Sequence, residues 1–138
     1  MAKHIFYNLK LVVNSVDLSD HVESFSLEVG LNKQAAAAMQ DLQDYDMPGT
    51  QVVTEPTITF YQDYATSKVY QTLVALYTNR TTFNIVANAD AGANAATNPA
   101  WTVPVFVLKM PVMTGKRGDR HMAPVSLGVA GLATIATS

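Results

Sequence analysis

Hydrophobic and polar residues alternate one by one between residues 24 and 29. The hydrophobic side chains fall on one side of the chain, and Ser24, Ser26 and Glu28 fall on the other. A strand with two faces of opposite character is typical of an antiparallel sheet that has one buried and one wet face. The pattern therefore predicts a β protein in which these three polar residues line an exposed face.

The same alternation marks a second strand over residues 52–61, with Thr57 and Thr59 on its polar side. Within it, Pro56 lacks an N–H group, so this position predicts a bulge or the edge of a sheet. Earlier in the chain, Asn-Ser at 14–15 predicts a tight turn between two short strands. These patterns together predict a mainly β fold.

One helix is predicted over residues 64–78, because apolar side chains recur there at three- and four-residue spacing. Val69, Leu73 and Leu76 form the stripe that we expect to face the sheet core. The start of this helix has two candidate caps, Asp63 and Thr66.

Residues 30–51 have no comparable pattern, and the sequence predicts a long loop there. Its residues are apolar enough to pack against a partner and too small to build a core of their own. We expect this loop to be mobile in the free protein and to become ordered against a neighbouring subunit. The candidate contact residues are Asn32, Lys33, Gln34, Met39, Leu42, Tyr45, Met47 and Pro48.

Length and charge narrow the class of protein further. The 138 residues fit one domain, 1–138, with a core of its own. A net charge of −2 and only 14% charged residues do not indicate attraction to nucleic acid or to a membrane surface. No apolar run approaches the roughly 20 residues of a membrane span, and the start lacks the apolar stretch of a signal peptide. We therefore expect the chain to be made in the cytoplasm.

No catalytic or metal-binding pattern is found. There are no cysteines, and the three histidines, His4, His21 and His121, lie far apart in the sequence. Ser19, Asp20 and His21 are the residue types of a hydrolytic triad, but neighbours on a chain cannot normally form its relay. We expect a polar turn at this position, and no enzyme activity, metal or cofactor.

Two short segments concentrate charge. Lys116, Arg117 and Arg120 fall in a predicted turn, where they are either solvated or bind a phosphate or the carboxylate of a neighbouring chain. Asp41, Asp44 and Asp46 are best interpreted as an ordinary acidic loop, since the glycine and distal glutamate of a calcium loop are missing.

A succession of short segments resembles the major tail proteins of long-tailed, non-contractile bacteriophages. The segments are Leu11-Val-Val-Asn-Ser-Val-Asp-Leu-Ser-Asp-His-Val22, Met47-Pro-Gly49, Phe60-Tyr-Gln-Asp-Tyr64 before the helix, Asn98-Pro99, Val112-Met-Thr-Gly115, and a last strand with Gly128 and Gly131. Their order covers nearly the whole chain. An alanine-rich passage at 34–40 replaces the Thr- and Gly-rich passage usual in that family.

The resemblance implies a tail tube subunit of the virion: two packed antiparallel sheets, sandwich- or barrel-like, with one flanking helix. It implies hexameric rings stacked into a hollow tube, through which DNA passes without sequence-specific binding. Implied partners are other copies of the chain, the tape measure protein, the tail terminator and tail tip proteins. A polyanion slides best along a wall without bases. The polar face with Ser24, Ser26, Glu28, Thr57 and Thr59 is therefore the candidate lumen surface, although it could equally be an ordinary solvent face.

Two other classes of protein fit the same composition. A capsid decoration or head–tail joining protein would share the β-rich build and would stop at one ring or a trimer. A carbohydrate-binding β-sandwich would need exposed aromatic side chains along a groove. The candidates for such a groove are Tyr45, Tyr61, Tyr64 and Trp101.

Overall fold

The computed structural model of this chain describes residues 8–137, so His4 lies outside the described residues. Within this range the chain forms eight strands and one α-helix. In chain order the elements are β1 (Lys10–Val13), β2 (Val16–Asp17), β3 (Val22–Ala35), β4 (Asp46–Tyr61), α1 (Val69–Asn79), β5 (Phe83–Asn88), β6 (Ala100–Lys109), β7 (Met122–Val129) and β8 (Thr134–Ala136).

All strand pairings are antiparallel and join the strands into one sheet. The order across the sheet is β2-β1-β5-β6-β7-β4-β3, and β8 adds to β6. The prediction of a mainly β fold with one helix is confirmed. The strands form one continuous sheet instead of two separate ones, because β5, β6 and β7 link the first hairpin to β4 without a break.

The sheet curls so that its two ends approach each other. Lys10 of β1 and Val22 and Ser24 of β3 line one groove, although no ladder joins these strands. Ser19, in a single 3-10 turn at Ser19–His21, supports this closure, since its hydroxyl accepts a hydrogen bond from the Leu11 N–H at 2.8 Å. The result is an open, barrel-like curve around one hydrophobic core.

Helix α1 packs one side against the core of the curved sheet. Val69, Leu73 and Leu76 are buried in the core formed with the inner side chains of the sheet. The prediction was wrong about the start of the helix, which begins at Val69 and not near residue 64. Ser67 adopts a left-handed conformation with φ 62°, which an α-helix cannot contain.

Neither predicted residue caps α1. The N-cap is Lys68, which makes no side-chain capping bond. The Asp63 carboxylate instead accepts a hydrogen bond from the Ala65 N–H at 2.9 Å, and the Asp63 carbonyl accepts one from Tyr70 at 3.0 Å. These bonds shape the connection that leads into the helix.

Two local predictions are confirmed. Asn14 and Ser15, with φ angles of 47° and 67°, form the tight turn between β1 and β2; positive φ at both positions is the type I′ pattern that matches strand twist. At Pro56 the register shifts: Ser26 pairs with Thr57, but Glu28 pairs with Thr54. β4 thus has an extra residue there, which is a β-bulge.

The long loop predicted over 30–51 is mostly paired strand, and this prediction needs correction. Gly30 pairs with Val52, Leu31 with Gln51, and Ala35 with Asp46, so only residues 36–45 lie outside the strands. Alternation in a sequence records which face of a strand is buried. The β3 segment is exposed throughout and the β4 segment is at most partly buried, so apolar and polar residues do not alternate in either.

No helix in the described part of the chain is long and apolar enough to cross a membrane.

Candidate assembly surfaces

A two-stranded ribbon projects from the sheet, and we call it the arm: residues 29–53, formed by the end of β3, the start of β4 and the tip between them. β4 pairs with β7 only from Thr57 to Tyr61, so in the arm its only strand neighbour is β3. Every β3 residue from Glu28 to Ala35 is exposed. An isolated two-stranded ribbon is marginally stable in water. The arm is therefore the part of this chain that has most to gain from another surface.

The arm carries large apolar side chains that the molecule leaves in solvent. Leu31 is 63% exposed and Met47 is 55% exposed, while Met39 and Leu42 in the tip are fully exposed. Val29, Val52 and Tyr45 are also exposed. A concentration of apolar surface on one projection is characteristic of a protein–protein contact.

Contacts at the base of the arm attach it to the rest of the molecule. The Gln51 side-chain oxygen accepts a hydrogen bond from the Ala133 N–H at 3.1 Å, and Val53 packs against the core. Farther out, the two strands approach closely at Gly49. A Cβ there would lie 2.8 Å from the Asn32 carbonyl oxygen, so any other residue would push the strands apart.

The tip, residues 36–45, is closed by its own hydrogen bonds. The Ala36 N–H donates to the Tyr45 carbonyl at 3.0 Å, and the Asp41 N–H donates to the Ala38 carbonyl at 3.0 Å. The Asp41 carboxylate accepts a hydrogen bond from the Ala38 N–H. The carboxylates of Asp44 in the tip and of Asp46 at the start of β4 are exposed.

The structure brings the eight predicted contact residues together on the arm. Asn32, Lys33 and Gln34 lie on β3, Met47 and Pro48 lie on β4, and Met39, Leu42 and Tyr45 lie in the tip. Their role between subunits stays a prediction. Sequence reasoning missed Val29, Leu31 and Val52, whose exposure became visible only with the pairing of the strands. The available signal was the high β propensity of Val29 and Val52, on the two sides of the alanine run.

The five predicted lumen residues share one face of the sheet. Ser24 lies directly opposite Thr59, and Ser26 lies opposite Thr57, which in turn lies opposite Ser126 of β7. Glu28 continues the row opposite Thr54, past the bulge. At its far border the row meets a base, since Lys109 of β6 lies opposite Ser126. The face is thus rich in hydroxyl groups and carries an acid at one end and a base at the other.

The segment 114–121, which we call the basic loop, lies where β4 ends. The Arg120 guanidinium stacks 5.7 Å from the centre of the Tyr61 ring and donates a hydrogen bond to the Tyr61 hydroxyl at 3.2 Å. The Gln62 N–H donates to the His121 carbonyl at 2.8 Å. Val112 and Met113, just before the loop, are exposed apolar residues. Cations and apolar side chains therefore share this end of the molecule.

The Ser19, Asp20 and His21 cluster is a clamp and does not have triad geometry. The Ser19 hydroxyl bonds to the Asp17 carboxylate and not to His21. The two His21 ring nitrogens contact two carboxylates, that of Asp20 at 2.7 Å and that of Asp63 at 2.9 Å. Because Asp63 precedes α1, His21 fastens the start of β3 to the connection that leads into the helix.

The clamp changes the acidity of its members. Desolvation lowers the pKa of His21, but hydrogen bonds to Asp20 and Asp63 outweigh it, so this pKa is raised above the ordinary 6.5. The bond from His21 lowers the pKa of Asp20. The Ala65 N–H and then His21 lower the pKa of Asp63. Lys68 adds a cation 3.9 Å from the Asp20 carboxylate.

No protein-family model and no curated protein matches this chain in sequence. Solved structures do match its fold. The SPP1 tail tube aligns with a TM-score of 0.71 at 12% identity, over 95% of this chain and 77% of that chain. A chain of the PVC sheath/tube terminator, from an extracellular contractile injection system in the extended state, aligns with a TM-score of 0.73 at 13% identity, over 99% of this chain and 98% of that chain.

A third match is the tail of an empty gene transfer agent particle with C6 symmetry. Its TM-score is 0.66 at 5% identity, over 84% of this chain and 82% of that chain. At identities this low the similarity establishes the fold. That fold occurs in chains of tube-bearing particles.

The clamp predicts that stability decreases as the pH rises. A raised folded pKa means that the contribution of His21 is complete below about pH 6 and is lost as pH rises through the folded pKa. The stability that comes from the lowered pKa values of Asp20 and Asp63 is lost only in acid, as the pH falls below about 4. Between pH 6 and pH 8 the thermal midpoint should therefore drop more in the natural chain than in His21→Gln. His121→Gln is the matched control and should keep the full drop. Equal drops in the natural chain and His21→Gln would contradict the clamp.

Proposed function

We propose that this chain is a tail tube subunit, whose copies form hexameric rings that stack into a hollow tube for the delivery of DNA. One observation carries the proposal. The molecule has a hydrophobic core and an exposed apolar arm that nothing between residues 8 and 137 covers. A fold shared with chains of tube-bearing particles supports it.

Ring formation needs a contact between two different surfaces of the same chain. β3 offers one such surface, because in the part of the chain that the structure describes it is the last strand of the sheet and has β4 on one side only. An edge strand of 14 residues presents a row of backbone groups that another chain can bind. The C6 symmetry of the gene transfer agent tail supports six copies in the ring.

The proposed role is structural and non-catalytic. The residues that most resemble a catalytic group already have other hydrogen-bond partners. Ser19 bonds to Asp17, and His21 bonds to the carboxylates of Asp20 and Asp63. Each of these interactions holds backbone segments in place. We propose no cofactor and no enzymatic step for this surface.

We further propose that the hydroxyl-rich face of β3 and β4 lines the channel. Phosphate contacts to lysine and arginine are strong and independent of sequence, so a basic wall would retain DNA. Ser24, Ser26, Thr57 and Thr59 offer weak, uncharged contacts, and Glu28 repels phosphate. Lys109, which lies opposite Ser126, marks the edge of the face that we propose to line the channel.

The partners follow from the proposed assembly. Other copies of the chain come first. A tape measure protein inside the tube, a terminator at one end and tip proteins at the other complete the proposed tail. The proposed location is the tail tube of the virion, after synthesis in the cytoplasm of a bacterial host.

A second candidate role is that of a joining or terminating ring. The match to a chain of the PVC sheath/tube terminator favours it, because its TM-score of 0.73 is as high as that of the SPP1 tail tube. Such a protein would form one ring and stop. The two roles differ in whether rings stack.

Electron microscopy of the purified protein tests the proposal. We expect tubes of stacked rings for the natural chain. A variant in which Asn-Gly replaces residues 36–45 should fold and form no tubes, because this two-residue turn closes the hairpin at the pair Ala35 and Asp46. Its thermal midpoint should stay close to that of the natural chain, because the removed residues are almost all exposed.

Each other outcome has a defined meaning. Single rings without stacking would favour the joining role. A natural chain that stays monomeric at high concentration would contradict the tube. Normal tubes from the shortened variant would show that the tip is not needed for assembly, and would leave the described fold unaffected.

The lumen assignment is tested by lysines placed on the polar face. The double variant Ser26→Lys and Glu28→Lys should form tubes whose introduced lysines are protected from an amine reagent too large to enter the bore. The control, Gln71→Lys and Ala75→Lys, adds lysines at exposed positions of α1, and these should react in intact tubes. DNA should also pass more slowly through tubes of the Ser26→Lys and Glu28→Lys variant, with partial recovery at high salt. Equal labelling of the two variants would show that the other surface lines the channel.

A further inference from the structure

Two short segments of the chain concentrate charge of opposite sign. Three of its 11 acidic residues, Asp41, Asp44 and Asp46, fall in or directly beside the arm tip. Three of its nine lysines and arginines, Lys116, Arg117 and Arg120, fall in the basic loop. All six side chains are exposed.

Four of these six charges form no ion pair with any residue between 8 and 137. Lys33 lies 3.8 Å from Asp46, and Lys116 lies 3.9 Å from Asp119, both as exposed pairs of the kind that stabilise little. Among residues 8–137, Asp44 and Arg117 form no ion pair and no side-chain hydrogen bond. Each segment therefore has charge available for a partner.

The two segments lie at opposite ends of one element. Asp46 is the first residue of β4, and Tyr61, which contacts Arg120, is its last. A strand of 16 residues spans about 50 Å at roughly 3.3 Å per residue. Such a separation keeps the acidic tip from reaching the basic loop of its own molecule.

Apolar side chains accompany the charges at both ends. Met39 and Leu42 are exposed in the tip, and Val112 and Met113 are exposed beside the basic loop. Each end thus combines opposite charge with apolar area that another copy can cover. Complementary charges steer the encounter and fix its orientation, while apolar area supplies affinity.

From these observations we propose that the acidic arm tip of one copy docks on the basic loop of the next copy. The partner is a second copy of this chain. Two different patches at opposite ends make a head-to-tail contact, which repeats without closing on itself. The inference rests on the proposed tube and identifies the contact that would join one ring to the next.

Two charge-reversed chains test the docking directly. The tip-reversed chain carries Asp41→Lys and Asp44→Lys, and the loop-reversed chain carries Lys116→Asp and Arg117→Asp. Within each chain both ends then have the same sign, so each alone should need an at least about tenfold higher concentration to assemble. Mixed in equal amounts they should associate within about threefold of the natural concentration, because each tip again meets a loop of opposite sign.

The matched control reverses two acids away from the tip. Glu23→Lys with Glu55→Lys makes the same change of net charge at exposed positions. On its own, this control should assemble at a concentration close to that of the natural chain, because its arm tip and its basic loop are unchanged. Sedimentation at 50 mM and 500 mM salt follows the association, which should weaken at the higher salt.

The outcomes separate this inference from the proposed function. Reversed chains that each assemble like the natural chain, or a mixture no better than its components, overturn the docking. Natural tubes in the same experiment would leave the proposed function standing. A mixture that associates while the natural chain forms no tubes would uphold the docking and contradict the tube.

Discussion

The structure depends on one mismatch of length. Helix α1 has 11 residues and is about 16 Å long at 1.5 Å per residue. β4 has 16 residues and spans about 50 Å, and β3 runs beside it for 14. One short helix cannot cover such a pair of strands. The core therefore closes around one part of the hairpin, and the rest projects as the arm.

This mismatch gives the molecule a direction. One end of β4 lies at the acidic, apolar tip, and the other lies beside the basic loop that contacts Tyr61. A protein whose two ends differ in this way associates head to tail more readily than face to face. The proposed stacking of rings follows from that polarity, while the proposed ring follows from the free edge of β3. A free arm of two strands is also marginally stable, so assembly would stabilise it.

The sequence predicted those features that local chemistry determines. Asn14 adopts the left-handed backbone that asparagine tolerates in a tight turn, and Pro56 produces a bulge because it has no N–H to donate. The polar face was visible in advance because the core buries the other side of the same strands.

The rest could not be predicted from local pattern. The outer halves of β3 and β4 contain no fully buried residue, so no alternation of apolar and polar residues marked them as strands. Ser67 has a left-handed backbone, so α1 begins only after it, and nothing in a serine side chain signals that conformation. The clamp joins His21 to Asp63, which lies 42 residues away in sequence, and only the folded chain brings them together.

Hydrogen exchange of backbone amides tests the central claim most directly, namely that the core folds alone and the arm gains its stability from another copy. In the dissociated subunit, arm amides such as those of Leu31 and Val52 should exchange quickly, while those of Ile85 and Val103 in the core strands stay protected. Assembly should slow exchange in the arm to rates like those of the core. Arm amides already as protected as the core in the free subunit, or unchanged on assembly, would contradict the account.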